Sequence, residues 1–245
     1  MSIIHSPFRE AARNAAWEEY LFRRRPIRPV LLFYCNDSAV LWGRNQNPYL
    51  ECDVSKCRRE GVALLRRITG GGAVYHDQGN LNYCFILPRG TCELGRPVQL
   101  LCLALQELGV TGLRVCARHS LWLNDSKVSG SAFALSGPAV MQHGCLLLHS
   151  DLSRLQELLT VTADSTTFSR VVASVRSPVA NITDLHPAVH ADEVQAALSS
   201  VAQVAWPEIA QAEDNLDWQT LFASYQDKFA SEIWTMEMAV NDQRP

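Results

Sequence analysis

Two adjacent arginines run into three consecutive glycines at Arg66-Arg67-Ile68-Thr69-Gly70-Gly71-Gly72, followed by Ala73-Val74-Tyr75-His76-Asp77 and a polar turn closed by Gly79-Asn80. Glycine lacks the Cβ that blocks positive φ, so such a stretch turns tightly and lets a ligand approach the backbone. Successive N–H groups in the turn form an anion-binding concavity, and arginine adds fixed charge with forked donors. The predicted chemistry is capture of a phosphate or a carboxylate. The stretch is neither a P-loop, since no Gly-Lys-Ser/Thr follows, nor the GxGxxG dinucleotide fingerprint.

Three smaller signals accompany it. In Lys127-Val128-Ser129-Gly130-Ser131-Ala132-Phe133 a single cation enters a strand of small residues, where a ligand can lie close to the backbone. Taken alone, such a lysine is most often a surface residue. In Gln142-His143-Gly144-Cys145 a thiol stands near an imidazole, which suggests a nucleophile; with Gly144 between them, a buried structural thiol is the preferred reading. His76-Asp77 reads as an acid/base pair or as a pin for the turn, and the pin is preferred.

The elements that must position these residues follow from periodicity and punctuation. Ser6-Pro7 predicts a helix start, with Ala12, Ala15, Ala16 and Tyr20 striping it through about Phe22. Val30 to Cys35 and Ala39 to Gly43 read as strands joined by Asn36-Asp37-Ser38, a hairpin signal. A short helix near Val54 to Glu60 precedes a strand from Ala63 to Ile68, which delivers the arginines. Ala73 to His76 and Leu81 to Leu87 are strands, the second with Leu81, Tyr83, Phe85 and Leu87 on one face and Asn82, Cys84 and Ile86 on the other. Pro97 to Leu108 is helical. Strands are predicted at Leu113 to Ala117, Leu121 to Leu123, Lys127 to Ala132 and Met141 to His149, and a helix at Leu152 to Leu159. A polar loop covers Thr162 to Ser177, and helices near Ala191 to Val204 and Trp218 to Ser231 end the chain. Strands and helices mix without strict alternation, so the fold class is α+β with a mixed sheet, in one domain.

Composition supports a folded chain with its own core. The 245 residues are 47% hydrophobic, and the net charge of −3 provides no whole-protein attraction for nucleic acid or an acidic membrane. The basic clusters Arg23 to Arg28, Arg58-Arg59 and Arg66-Arg67 are local. Eight cysteines form no CxxC pair, and Cys84, Cys102 and Cys116 sit in apolar runs, as expected for buried thiols in a reducing compartment. No segment reads as a signal peptide or a membrane span, which predicts a cytoplasmic protein, or one of the mitochondrial matrix in a eukaryote.

Three segments in order, RRITGGGAVYHDQGNLNYCFI, KVSGSAF and HGCLLL, together resemble the catalytic domain of lipoate-protein ligases and lipoyltransferases. Asn14 to Leu21, Gly43-Arg44-Asn45-Gln46-Asn47-Pro48 and Ser177 to Ile182 extend the resemblance over about residues 14–185. It implies the biotin/lipoate-ligase catalytic fold, a mixed and largely antiparallel sheet flanked by helices. The implied domain covers the chain, with the helices from about residue 190 included and a small accessory domain absent.

The resemblance also implies a site and a reaction. Arg67, Gly70, Gly71, Gly72, Ala73, Val74 and Tyr75, with His76, Asn80, Gly130, Ser131 and His143, would bind lipoate with ATP, or the lipoyl-adenylate. Lys127 would contact both the acyl carbonyl and the phosphate. The carboxylate is activated as an adenylate, then transferred to a lysine of a lipoyl-carrier domain, of the 2-oxoacid dehydrogenase E2 or the glycine-cleavage H type. No resident metal site is expected. Mg²⁺ accompanies ATP in the family, but Arg118-His119-Ser120 stands where an acidic motif is usual, which counts against Mg²⁺-dependent activation of ATP and leaves transfer from a preformed adenylate open. A separate small subunit could complete the system. Two alternatives stay open: an octanoyl or lipoyl acyltransferase working through a Cys145 thioester, and a catalytically silent homologue that binds adenylate or acylated carrier.

Overall fold

The alternation around Tyr83 places a strand at the centre of the protein. The computed structural model describes residues 1–24, 28–90, 93–160, 173–207 and 218–237. Its larger sheet has the order β1-β2-β6-β10-β9-β8-β7. These are β1 (Ser2–His5), β2 (Val30–Tyr34), β6 (Asn80–Pro88), β7 (Leu113–Val115), β8 (Leu121–Leu123), β9 (Ser126–Ser136) and β10 (Ala139–Leu147). Only β1 and β2 run parallel; every other pair is antiparallel. The smaller sheet has the order β4-β3-β5, with β3 (Ala39–Trp42) parallel to β4 (Ala63–Arg66) and antiparallel to β5 (Val74–His76).

The two faces of β6 divide the molecule. Leu81, Tyr83, Phe85 and Leu87 enter a core closed by α3 (Arg96–Glu107) and α5 (Ala191–Ala205). Burying each such side chain contributes roughly 1.5–3 kcal/mol, so this face anchors the sheet. On the opposite face Cys84 and Ile86 pack with Leu32, Met141 and Phe22 of α1 (Ala11–Arg23). Helix α1 also covers Leu41 and Leu65 of the small sheet, and α6 (Trp218–Ala230) packs on α1. The outer side of the small sheet carries α2 (Val54–Arg59) and α4 (Leu152–Leu158). No helix among the described residues is long and apolar enough to cross a membrane.

The mixed, largely antiparallel α+β architecture agrees with the sequence reading, and three local expectations change. Residues 2–5 form a strand along β2, and the helix begins at Ala11 rather than near Ser6. The runs at 30–34 and 39–42 are not a hairpin: β2 pairs with β6, β3 with β4 and β5, so the chain crosses between sheets at Asn36-Asp37-Ser38. Only part of the thiol set is buried: Cys52, Cys57 and Cys84 are, whereas Cys35, Cys102, Cys116 and Cys145 are partly accessible. Most of the predicted polar loop, residues 161–172, lies outside the described residues, as does Cys92.

Candidate functional site

The glycine turn connects β4 to β5 across the end of the small sheet. Gly71 has φ +91°, a conformation that a side chain would strain, and the Gly43 backbone packs so closely on the turn that a Cβ there would meet the Gly71 carbonyl. Arg67 holds the turn from beneath. Its guanidinium donates to Leu41 O at 3.0 Å, Gly70 O at 3.1 Å and Gly72 O at 2.8 Å, with a long contact to Thr69 Oγ1 at 3.4 Å. Burial pushes the Arg67 guanidinium below its ordinary value. With carbonyls turned inward, the Gly70, Gly71 and Gly72 amides have no partner among the described residues. The Ala73 amide donates to Ser174 Oγ at 2.8 Å, and Glu51 holds that serine through both its hydroxyl and its amide.

A chain of buried polar contacts runs from the turn to α1. Thr69 Oγ1 lies 2.8 Å from His143 Nε2, and His143 Nδ1 lies 2.8 Å from Glu18 Oε2. Tyr34 donates its hydroxyl to Glu18 Oε1 at 2.8 Å. A neutral imidazole with Nδ1–H donating to Glu18 and Nε2 accepting from Thr69 satisfies every group in this chain. Nearby, His76 Nδ1 meets Asn36 Nδ2 at 3.0 Å. Burial first, then the Arg67 charge, lowers His76 to about 3, so it is neutral at ordinary pH. Asp77 pins the turn by accepting from the Gly79 and Asp151 amides, as the sequence reading preferred.

Two cavities meet at this network. The smaller, of about 50 Å³, is lined by Arg67, Val74, His76, Gly130 and His143 together with Glu18, Tyr34, Asn36 and Phe229. The larger, of about 760 Å³, is lined by Ala73, Val74, Tyr75, Lys127, Gly130, Glu51 and Ser174, with residues of α4. Val74, Gly130 and Cys145 belong to both. Lys127 Nζ stands over Gly130, 3.0 Å from where a Cβ would be, and has no hydrogen-bond or ion-pair partner among the described residues. Its own backbone is tied to the passing segment by Lys127 N to Pro178 O at 2.8 Å.

The structure thus gathers Arg67, Val74, His76, Lys127, Gly130 and His143 around one junction, beside Ala73, Tyr75 and the three glycines. Ser131, Asn80 and the three glycines Gly70, Gly71 and Gly72 line neither cavity. Ser131 donates to His119 O at 2.6 Å, and Asn80 is buried below the sheet surface, donating to Asn82 Oδ1. Cys145 corrects the expectation of a buried structural thiol. Residues two apart on a strand share a face, so it stands beside His143 and opens to both cavities. Sequence reasoning missed Glu18, Tyr34, Glu51, Ser174 and Phe229. Only Glu18 had a local signal, as a polar residue one helical turn beyond Asn14 on the buried side of α1.

The Arg118-His119-Ser120 segment is built as a turn with its own partners. Ser120 Oγ contacts Cys116 Sγ at 2.8 Å and accepts from Trp122 Nε1 at 3.0 Å. Burial pushes the Cys116 thiol up, but hydrogen bonds from Ser120, the Arg118 backbone and Trp122 outweigh it and hold the thiol at about 7. Among the described residues no three His, Cys, Asp or Glu side chains gather as metal ligands.

Comparison with known proteins matches this architecture and motif order. The family model of the lipoyl protein ligase A/B catalytic domain matches residues 10–203. A lipoate-protein ligase A of Bdellovibrio bacteriovorus is 37% identical over 186 residues, covering 74% of this chain and 54% of that protein. The chain spans about half the length of the curated relatives it matches. Among solved structures, a lipoate-protein ligase A bound with ATP superposes with a TM-score of 0.78 at 27% identity, covering 97% of this chain and 98% of the other. A bipartite lipoate protein ligase of Thermoplasma acidophilum, studied with its E2 lipoyl domain, superposes with a TM-score of 0.79 at 27% identity, covering 97% and 96%. The chain belongs to the lipoyl protein ligase A/B catalytic-domain family.

Proposed function

We propose that this protein is the catalytic domain of a lipoate-protein ligase, attaching lipoyl groups to a lysine of a carrier domain through a lipoyl-adenylate. The observation that carries the reading is the junction at Val74, Gly130 and Cys145, where an unpaired Lys127 ammonium faces the meeting point of a narrow cavity and a wide one. The narrow cavity is assigned to the acyl end, and the wide one suits a nucleotide. During activation the attacking carboxylate and the phosphate are both negative; during transfer charge builds on the carbonyl oxygen and then on the departing AMP phosphate, so one fixed cation between them serves both half-reactions. The free amides of Gly70, Gly71 and Gly72 add donors of the kind that receive phosphate oxygens. The relative bound with ATP and the relative studied with an E2 lipoyl domain support ATP and a lipoyl carrier as co-substrate and partner.

Several finer points belong to the same proposal. E2-type or H-type carriers, a small accessory subunit and a cytoplasmic or mitochondrial-matrix location all fit the family reading. Mg²⁺ would accompany ATP through the nucleotide phosphates. The Ser120 hydroxyl offers it no charge, being already committed to Cys116 and Trp122.

The test compares ATP plus lipoate with synthetic lipoyl-AMP as donors to a lipoyl-carrier domain. Product from both donors establishes a complete ligase, and product from lipoyl-AMP alone establishes a transferase. No product from either at any enzyme level overturns the proposal. Cys145→Ser separates the thioester alternative: retained transfer rules out a cysteine intermediate there, and abolished transfer in the folded variant favours it.

A further inference from the structure

The narrow cavity is too small for the group assigned to it. Its volume of about 50 Å³ is about a third of the ~150 Å³ that accommodates a benzene-sized guest. An acyl tail therefore enters only if a wall yields. Most of that wall cannot. Arg67, His143, Glu18 and Tyr34 are locked into one hydrogen-bonded chain, and Ala11 and Ala15 have no side-chain torsion to rotate.

Phe229 is the largest apolar side chain in the remainder, which also includes Leu41, Ile68, Val74 and Cys145. Among the described residues it is the one lining residue from α6; it is 2% exposed, and its ring makes no hydrogen bond, with Lys228 Nζ lying 5.0 Å from its centroid. It shares one apolar cluster with Leu41, Ile68, Val74 and the small Ala11 and Ala15, which line the same cavity. Its helix is held by Lys228, which pairs with Glu19 and sits over the Trp234 ring at 3.8 Å, while Phe229 meets the edge of Trp234 with centroids 5.9 Å apart. Helix α6 also lies beyond residues 10–203, the span matched by the family model. A residue outside the span matched by the family model thus lines the cavity assigned to the acyl end.

We propose that Phe229 is a specificity-determining residue that gauges the length of the acyl tail, its ring displacement setting how many carbons fit. This rests on the acyl-ligase reading above. The probes are the straight-chain carboxylic acids from hexanoic to dodecanoic, with lipoic acid, measured by calorimetric binding to the full chain and by acylation of a lipoyl-carrier domain. Phe229→Ala should raise the ratio of decanoate to octanoate affinity at least tenfold, Phe229→Leu should raise it less, and Phe229→Trp should weaken octanoate and lipoate while sparing hexanoate. Phe222→Ala is the control, because Phe222 is buried in the same cluster but lines neither cavity.

An unchanged chain-length ratio in the folded alanine or leucine variant overturns the proposal. So does an equal shift in Phe222→Ala, which would reveal general loosening of α6. If the wild type acylates the carrier and the Phe229 variants keep its ratios, only the gauge falls. If the wild type neither binds nor transfers any of the acids, the ligase reading falls with it.

Discussion

The two cavities share three residues yet are built in opposite ways. The narrow one is walled by buried polar groups that satisfy one another, from Arg67 through Thr69 and His143 to Glu18 and Tyr34. Leaving any of these unpaired in a dry interior is costly, so the network holds one arrangement. The wide one is walled by a strap at residues 173–179, by α4, and by a lysine with no partner among the described residues. Rigidity lies on the narrow side, and a charge with no partner among the described residues lies on the wide side.

The largest expected effect breaks the open side. Lys127→Ala should lower carrier lipoylation from lipoyl-AMP by about 10²–10³-fold, the scale of losing one preorganised electrostatic partner. Its melting temperature should stay close to that of the parent, because the ammonium makes no hydrogen bond or ion pair among the described residues. A near-parental rate in the folded variant would show that the lysine is a bystander.

The next effects test the closed side through stability. Glu18→Ala leaves the His143 Nδ1–H and the Tyr34 hydroxyl unpaired, and should cost about 3 kcal/mol in denaturant unfolding. A loss below about 0.5 kcal/mol, within the ordinary range for a surface substitution, would show that the polar chain does not form.

His76 supplies a pH signature of the same closed side. Its folded pKa, about 3, lies below the unfolded value near 6.5, so the unfolded state takes up the proton first as pH falls. Its contribution is therefore intact above pH 6.5 and is lost progressively between about 6.5 and 3. At pH 5 the loss is about 2 kcal/mol relative to pH 7. His76→Gln should lack that part of the acid destabilisation, and parallel pH profiles of parent and variant would contradict the buried neutral imidazole.

The smallest effect lies where the two regions touch. Ser174→Ala removes the acceptor of the Ala73 amide and should cost about 1 kcal/mol. Hydrogen exchange at Ala73 should accelerate while the β6 amides keep their protection. Unchanged exchange at Ala73 would mean that the strap does not close on the turn.

Legibility followed the range of the forces involved. The alternation of β6, the helix α3 and the glycine turn each follow from residues within one short window, and the structure contains them. The supposed hairpin at 30–43 failed because a turn signal is local, whereas the choice of sheet partner depends on β6 and β4, tens of residues away. Cys145 was misjudged for a related reason: its exposure depends on the space above β10, not on its neighbours in sequence.

The sequence alone determined the fold class and the glycine turn, and it set the expectation of an anion site there with Lys127 beside it, because periodicity, glycine content and motif order are properties of the chain. Only the tertiary structure decided that Arg67 reaches the Leu41 carbonyl as well as those of its own turn, that Glu18 of α1 anchors the polar chain, and that Phe229 lines the narrow cavity. Those roles join residues tens to more than a hundred positions apart, and such pairings exist only once the sheets and helices have packed.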